Sequence, residues 1–138
     1  MAGESGSRRV VIVGGGFAGL FAARTLSRAP VQVTLLDRAE HHLFQPLLYQ
    51  YATGILSEGK IAMLLRELLR KHRNVEFVIA EVTDIDPAGR SVRARRPLGE
   101  PSELGYDYLI LAAGVRQSYF GHDEYAAFAP GMKPSRTP

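Results

Sequence analysis

Cysteine is absent from all 138 residues. That absence excludes disulfide frameworks, thiolate zinc sites and C-x-x-C redox centres together. It also excludes the flavoenzymes that pass electrons through a cysteine pair. No run of about eighteen apolar residues occurs, so no transmembrane helix is encoded. The first eight residues lack the apolar core of a signal peptide, which makes the cytoplasm the expected compartment. Charge of one sign is scarce as well: the net charge is only +3. The arginines are scattered, with one denser patch at Arg90, Arg93, Arg95 and Arg96. Nucleic acid is therefore not an expected partner, and the patch reads as solvated or membrane-facing surface. With 46% apolar and 22% charged residues the composition is that of an ordinary globular domain. The length allows one real core, and no internal repeat is present.

What the sequence does contain is concentrated between Arg9 and Asp37, RVVIVGGGFAGLFAARTLSRAPVQVTLLD. A β-branched run, Val10–Val13, leads into Gly14-Gly15-Gly16-Phe17-Ala18-Gly19, which fits G-x-G-x-x-G. Gly14 is placed to make the tight turn, Gly16 to let backbone approach a pyrophosphate, and Gly19 to let helix pack close on strand. The helix that starts there directs free N–H groups and its positive dipole end at phosphate. A second strand, Val31–Leu36, ends at Asp37, where a carboxylate can accept a ribose hydroxyl. A lone G-x-G-x-x-G is weak evidence, but strand, turn, helix, strand and acid follow in order within about thirty residues. The fingerprint does not separate FAD from NAD. Asp37 argues against NADP, since it repels a 2′-phosphate, with Arg38 beside it as the one qualification.

Along the rest of the chain, Met1–Ser7 reads as a frayed polar leader. Phe17–Arg28 reads as a helix stopped by Pro30. His41–Ser57 is irregular, broken by Pro46 and Gly54, yet too apolar for a solvated loop. Either it packs on the core or it lines a pocket for a flat ligand. His41 and His42 are adjacent and point in different directions, so surface or hydrogen-bonding roles are expected rather than metal binding. Ile61–His72 has leucines at helical spacing and reads as a helix, and Val75–Ala80 as a third strand. The first three strands are expected in the order three, two, one of a nucleotide-binding half. Glu81–Ile85 and Ser91–Arg95 read as a hairpin around Asp86-Pro87-Ala88-Gly89-Arg90. Pro97–Glu103 reads as a turn-rich connection and Tyr106–Gly114 as a buried strand ending in small residues, so that the excursion is a β-meander. Asp123-Glu124 reads as a solvated pair, and residues 130–138 as unstructured. The expected class is α/β, a Rossmann-like FAD/NAD(P)-binding fold with a parallel sheet and a β-meander. It divides into a leader over residues 1–7, a partial dinucleotide-binding domain over residues 8–129, and a tail.

The fingerprint, the meander and a strand ending Leu111-Ala112-Ala113-Gly114 resemble the FAD-binding half of flavoproteins with two dinucleotide domains. Ala113 stands where that group often has threonine. More specific is His41-His42-Leu43-Phe44-Gln45-Pro46-Leu47-Leu48-Tyr49-Gln50 with Ala52-Thr53-Gly54, joined by YDYLILAAGVRQSYFGHDEYAAFAPGMK from Tyr106 to Lys133. These resemble the type II NADH:quinone oxidoreductases, the single-subunit, non-proton-pumping NADH dehydrogenases of respiratory chains. The resemblance implies FAD as cofactor and NADH as substrate, with a quinone and the inner face of the cell membrane as partners of the full-length proteins. By it, Gly14, Gly16, Phe17, Ala18 and Gly19 cradle the pyrophosphate, while Asp37 and Arg38 meet the adenosine ribose. Val82 offers backbone to the adenine, and Gln45 and Pro46 lie near the isoalloxazine. Ala113 and Gly114 either close over the cofactor or only form a tight strand exit. No general base is expected from this half. The chain reads as a truncated fragment, without the NADH site and not expected to turn over alone. The alternatives are an inactive nucleotide-binding remnant and a stand-alone NAD-binding module.

Overall fold

A computed structural model of the chain describes residues 6–115 and 118–129. It begins with β1, Arg8–Val13, then α1, Phe17–Leu26, and β2, Val31–Asp37. The next pieces are short: β3, His41–Leu43, a 3₁₀ turn at Gln45–Leu47, α2 at Leu48–Ala52, α3 at Glu58–Ile61, β4 at Ala62–Leu64 and α4 at Leu65–Leu69. Then follow β5, Val75–Ile79, β6, Glu81–Asp86, β7, Ser91–Arg95, β8, Pro101–Gly105, β9, Tyr108–Leu111, and a second 3₁₀ turn at Asp123–Ala127. The chain divides into two compact units, one of residues 1–42 and 64–113, the other of residues 43–63 and 114–138.

The first unit is built on a four-stranded sheet in the order β5-β2-β1-β9. Every neighbouring pair in it is parallel. The expected order three, two, one is therefore present, with β9 added beside β1. Successive residues of a strand face opposite sides, and the two sides have separate cores. Val10, Ile12, Val33 and Leu35 meet Leu20 and Ala23 of α1 and Leu65 and Leu69 of α4. On the other face Val11 and Leu36 pack with Ala80, Val92, Ala94 and Tyr106. A strand covered on both faces needs apolar residues at every position, which is why β1 and β2 read as nearly continuous apolar runs. Leu35 and Leu65 are fully buried, each contributing about 1.5–3 kcal/mol relative to exposure.

The covering layer on the second face is the antiparallel meander β6-β7-β8. Its first turn follows from Asp86, whose Oδ1 accepts the N–H groups of Ala88 at 3.0 Å and Gly89 at 2.9 Å. Two of the four clustered arginines are paired across this hairpin, Arg93 with Asp84 and Arg95 with Glu81, both at 3.2 Å.

Several expectations need correction. Ile61–His72 is not one helix: Ala62–Leu64 is strand β4, paired with β3 in a two-stranded ribbon. The leucine period is real, since Leu65 and Leu69 reach the core, but Leu64 is exposed. The backbone of this stretch finds partners far off in sequence, with the Leu65 N–H donating to the Glu40 carbonyl at 2.8 Å. Such tertiary pairing overrides helix propensity. His41–Ser57 is not an irregular loop but a strand, a 3₁₀ turn and a short helix. Pro97–Glu103 is a connection only as far as Glu100; from Pro101 it is the edge strand β8, where a proline is tolerated because its missing N–H faces no neighbour. β9 is only half buried. Leu109 and Ile110 pack on the two cores, while Tyr108 and Leu111 are exposed, at the end of the sheet order. Within the leader, Ser7 is tied down by its hydroxyl, which donates to the Pro30 carbonyl at 3.2 Å. The rest of it, residues 1–5, and the tail at residues 130–138 lie outside the described residues, apart from Gly6.

In the second unit the Phe44 N–H donates to the Ile61 carbonyl at 2.7 Å, joining the two ends of the 43–63 segment, and the Thr53 N–H closes a short turn on the Tyr49 carbonyl at 3.1 Å. Leu48 and Ile61 are buried, whereas Tyr49, Tyr51 and Ile55 are exposed.

Candidate functional site

At the carboxyl end of β1 the chain must turn within three residues into α1. Gly14 takes φ +107°, a left-handed region that other residues avoid. Its N–H donates to the Leu36 carbonyl at 2.7 Å, holding the turn against the end of β2. A side chain on Gly14 would strike the backbone of Ala112 and Ala113, just past the end of β9. A side chain on Gly19 would strike the Gly14 carbonyl, so helix and turn touch backbone to backbone. Gly14 is thus a glycine for the turn and Gly19 one for close packing, as the sequence implied.

Gly16 differs. Its φ of −70° is ordinary, and a Cβ there would meet nothing within 4 Å. Gly16, Phe17 and Ala18 form the exposed lip of the turn, and Gly15 behind them is buried. Gly16 caps α1 with no side chain to donate to, and no acid occupies the first turn. The first N–H groups of a helix have no partner within it. Just before them, at the positive end of a ten-residue helix, lies the open space beside Gly16. It is space that a Cβ would enter, and it is compatible with the diphosphate of a dinucleotide.

Asp37, at the end of β2, stands at the turn. Its Oδ2 accepts the Gly15 N–H at 2.6 Å and its Oδ1 accepts the Ala39 N–H at 2.7 Å. Each oxygen keeps acceptor capacity beyond these bonds. Arg38 follows, exposed. The Ala80 N–H donates to the Asp37 carbonyl at 2.9 Å, bringing the start of β6 past the end of β2. Val82, two residues on, is half buried against the meander-side core. The structure therefore gathers Gly14, Gly16, Phe17, Ala18, Gly19, Asp37 and Ala113 about one turn. Gly114, at φ +77°, and Gln45 and Pro46, exposed in their 3₁₀ turn, belong to the second unit.

One residue at the turn is absent from the sequence-derived set. His42 is 3% exposed, with Nδ1 3.0 Å from the Gly15 carbonyl oxygen and its ring edge-on to Phe17 at 4.9 Å between centroids. His41 faces the other way, partly exposed and 3.6 Å from Glu40. That the two rings diverge was expected; that they lie on a strand, and that His42 is the one turned inward, was not. Among the described residues no group of histidines and acids could hold a metal ion. An open groove of about 450 Å³ lies at the other end of α1, lined by Arg24, Arg28, Glu67, Leu68, Lys71 and His72, apart from the glycine turn.

A family model for pyridine nucleotide-disulphide oxidoreductases matches residues 8–133. Two proteins of Mycobacterium tuberculosis are similar. The type II NADH:quinone oxidoreductase Ndh is 58% identical over 125 residues, covering 91% of this chain and 27% of the relative. The type II NADH:quinone oxidoreductase NdhA is 53% identical over 128 residues, covering 93% and 27%. The chain thus spans about a quarter of the length of these relatives. Among solved structures, NDH2 from Plasmodium falciparum in complex with NADH has a TM-score of 0.76 at 24% identity, over 84% of this chain and 24% of that one, a likeness of fold. The sulfide:quinone oxidoreductase from Aquifex aeolicus has a TM-score of 0.71 at 29% identity, over 82% and 26%. The family's disulfide has no counterpart in these 138 residues, which hold no cysteine; what is shared is the dinucleotide fold. The chain is thus similar to type II NADH:quinone oxidoreductases, and it belongs to the pyridine nucleotide-disulphide oxidoreductase family.

Proposed function

We propose that this chain is the FAD-binding portion, residues 8–129, of an NADH:quinone oxidoreductase acting at a membrane surface. When bound, FAD supplies the two-electron carrier between NADH and quinone, and the protein supplies binding, orientation and electrostatics. In this reading the backbone of Gly16, Phe17 and Ala18 receives the diphosphate, with Gly14 and Gly19 shaping the turn beneath it. Asp37 uses its remaining acceptor capacity for ribose hydroxyls, Arg38 stands beside it, and Val82 offers backbone to the adenine. Ala113 and Gly114 leave room where the cofactor passes, and Gln45 and Pro46 attend the isoalloxazine. NADH, the quinone and the membrane are partners of the whole protein. Among the described residues no helix is long and apolar enough to cross a membrane.

The observation that carries the reading is the contrast at the turn. Two glycines are required by their surroundings, and the third, Gly16, faces empty space at a helix N-terminus. Titration of the purified chain with FAD, followed by quenching of flavin fluorescence, tests it. Saturable binding is expected, with NAD a poor competitor. Gly16→Val should weaken FAD binding by about a hundredfold through overpacking of the ligand's space, with an unchanged melting temperature. Equal binding by parent and variant, or a preference for NAD over FAD, would refute the assignment.

A further inference from the structure

The middle glycine of the turn is held from both sides. Its N–H is bonded to Asp37 and its carbonyl to His42. A carbonyl can only accept, so the Nδ1 of His42 carries the proton and the neutral ring is the Nδ1–H tautomer. The imidazole is buried and its plane is set at 88° to the ring of Phe17. The Gly15 carbonyl and the Gly16 N–H belong to one peptide unit. That unit is planar and trans, so the two groups point in opposite directions. Fixing the carbonyl inward on His42 therefore fixes the Gly16 N–H in the opposite direction, away from the buried imidazole.

We propose that His42 is a positioning residue for the dinucleotide site: by donating from Nδ1 to Gly15 it aims the Gly16 N–H at the ligand. The inference rests on the proposed function for its ligand, but not for its geometry. His42 acts through a single peptide plane, and it leaves Asp37 to fix the preceding one.

Three measurements on the intact chain test it. In the parent protein, nitrogen NMR of His42 is expected to find the proton on Nδ1, and a proton on Nε2 overturns the proposal without any variant. Asn places a donor near the position of Nδ1, and Leu has the shape of Asn without the donor. His42→Asn is therefore expected to bind FAD within about twofold of the parent, and His42→Leu about tenfold more weakly, the usual range for one hydrogen bond. The order parameter of the Gly16 N–H is expected to stay near the rigid value of about 0.85 in the Asn variant and to fall in the Leu variant. Equal behaviour of Asn and Leu in both readouts overturns the proposal, because a purely packing role predicts just that. If the parent takes up no FAD, the proposed function falls, while the tautomer and the order parameter still decide the role of His42.

Discussion

The glycine turn and the apolar stretch of residues 43–63 are built by opposite means. In the turn, backbone groups do the work and each neighbour is within the same unit: Leu36, Asp37 and His42 hold Gly14 and Gly15, and Ala112 and Ala113 press on Gly14. In the apolar stretch the backbone bonds within the segment, and although Leu48 and Ile61 are buried, several large side chains are left outward, Tyr49 at 55% and Ile55 at 69% exposure. Buried backbone groups are paired, because an unpaired buried peptide group is costly. Apolar surface gains its free energy only when covered. The buried side of the turn is therefore closed, whereas exposed side chains like Ile55 contribute little to stability.

That contrast can be broken or sharpened by substitution. The largest effect is expected at Gly19→Val, which forces side-chain atoms into the Gly14 carbonyl and should cost about 3 kcal/mol or more. Thermal melting measures it, and a variant as stable as the parent would mean the turn is not closed by backbone contact. Asn74 comes next. Its Nδ2 lies 3.2, 3.3 and 2.9 Å from the carbonyls of Leu26, Ala29 and Val31, joining the end of α1 to the start of β2. Asn74→Ala is expected to cost about 1–3 kcal/mol in denaturant unfolding, since it leaves part-buried carbonyls without a donor. A loss near zero would show that water replaces the amide there. The smallest effect is expected at Ile55→Ser, within about 0.5 kcal/mol of the parent. A cost of a buried isoleucine's size at that position would erase the distinction between the two regions.

How much was legible follows the same division. β1, the glycine turn, α1 and β2 could be read because each signal is local: a β-branched run, glycines at fixed offsets, an apolar helix face, an acid. The hairpin turn at Asp86 was equally local, one carboxylate accepting two N–H groups a few residues on. The break at Ala62–Leu64 could not be read, because it depends on β3, some twenty residues earlier, offering a strand partner. The half-exposure of β9 depends on its place at the end of the sheet, which its own composition, Tyr108-Leu109-Ile110-Leu111, does not reveal. The inward turn of His42 and the triple contact of Asn74 are likewise products of tertiary placement, and neither residue type announces them. Asp37 was legible as an acid at the right distance from the glycines, but its bonds to Gly15 and Ala39 were not.

Those two bonds bear on any attempt to redesign nucleotide preference at this acid. A replacement chosen to accommodate an extra phosphate, such as a basic or an apolar side chain, would at the same stroke remove the acceptor that anchors the loop. The altered selectivity and the loosened scaffold would then be measured as one number. A successful redesign must supply a second anchor for the Gly15 amide before the charge is changed.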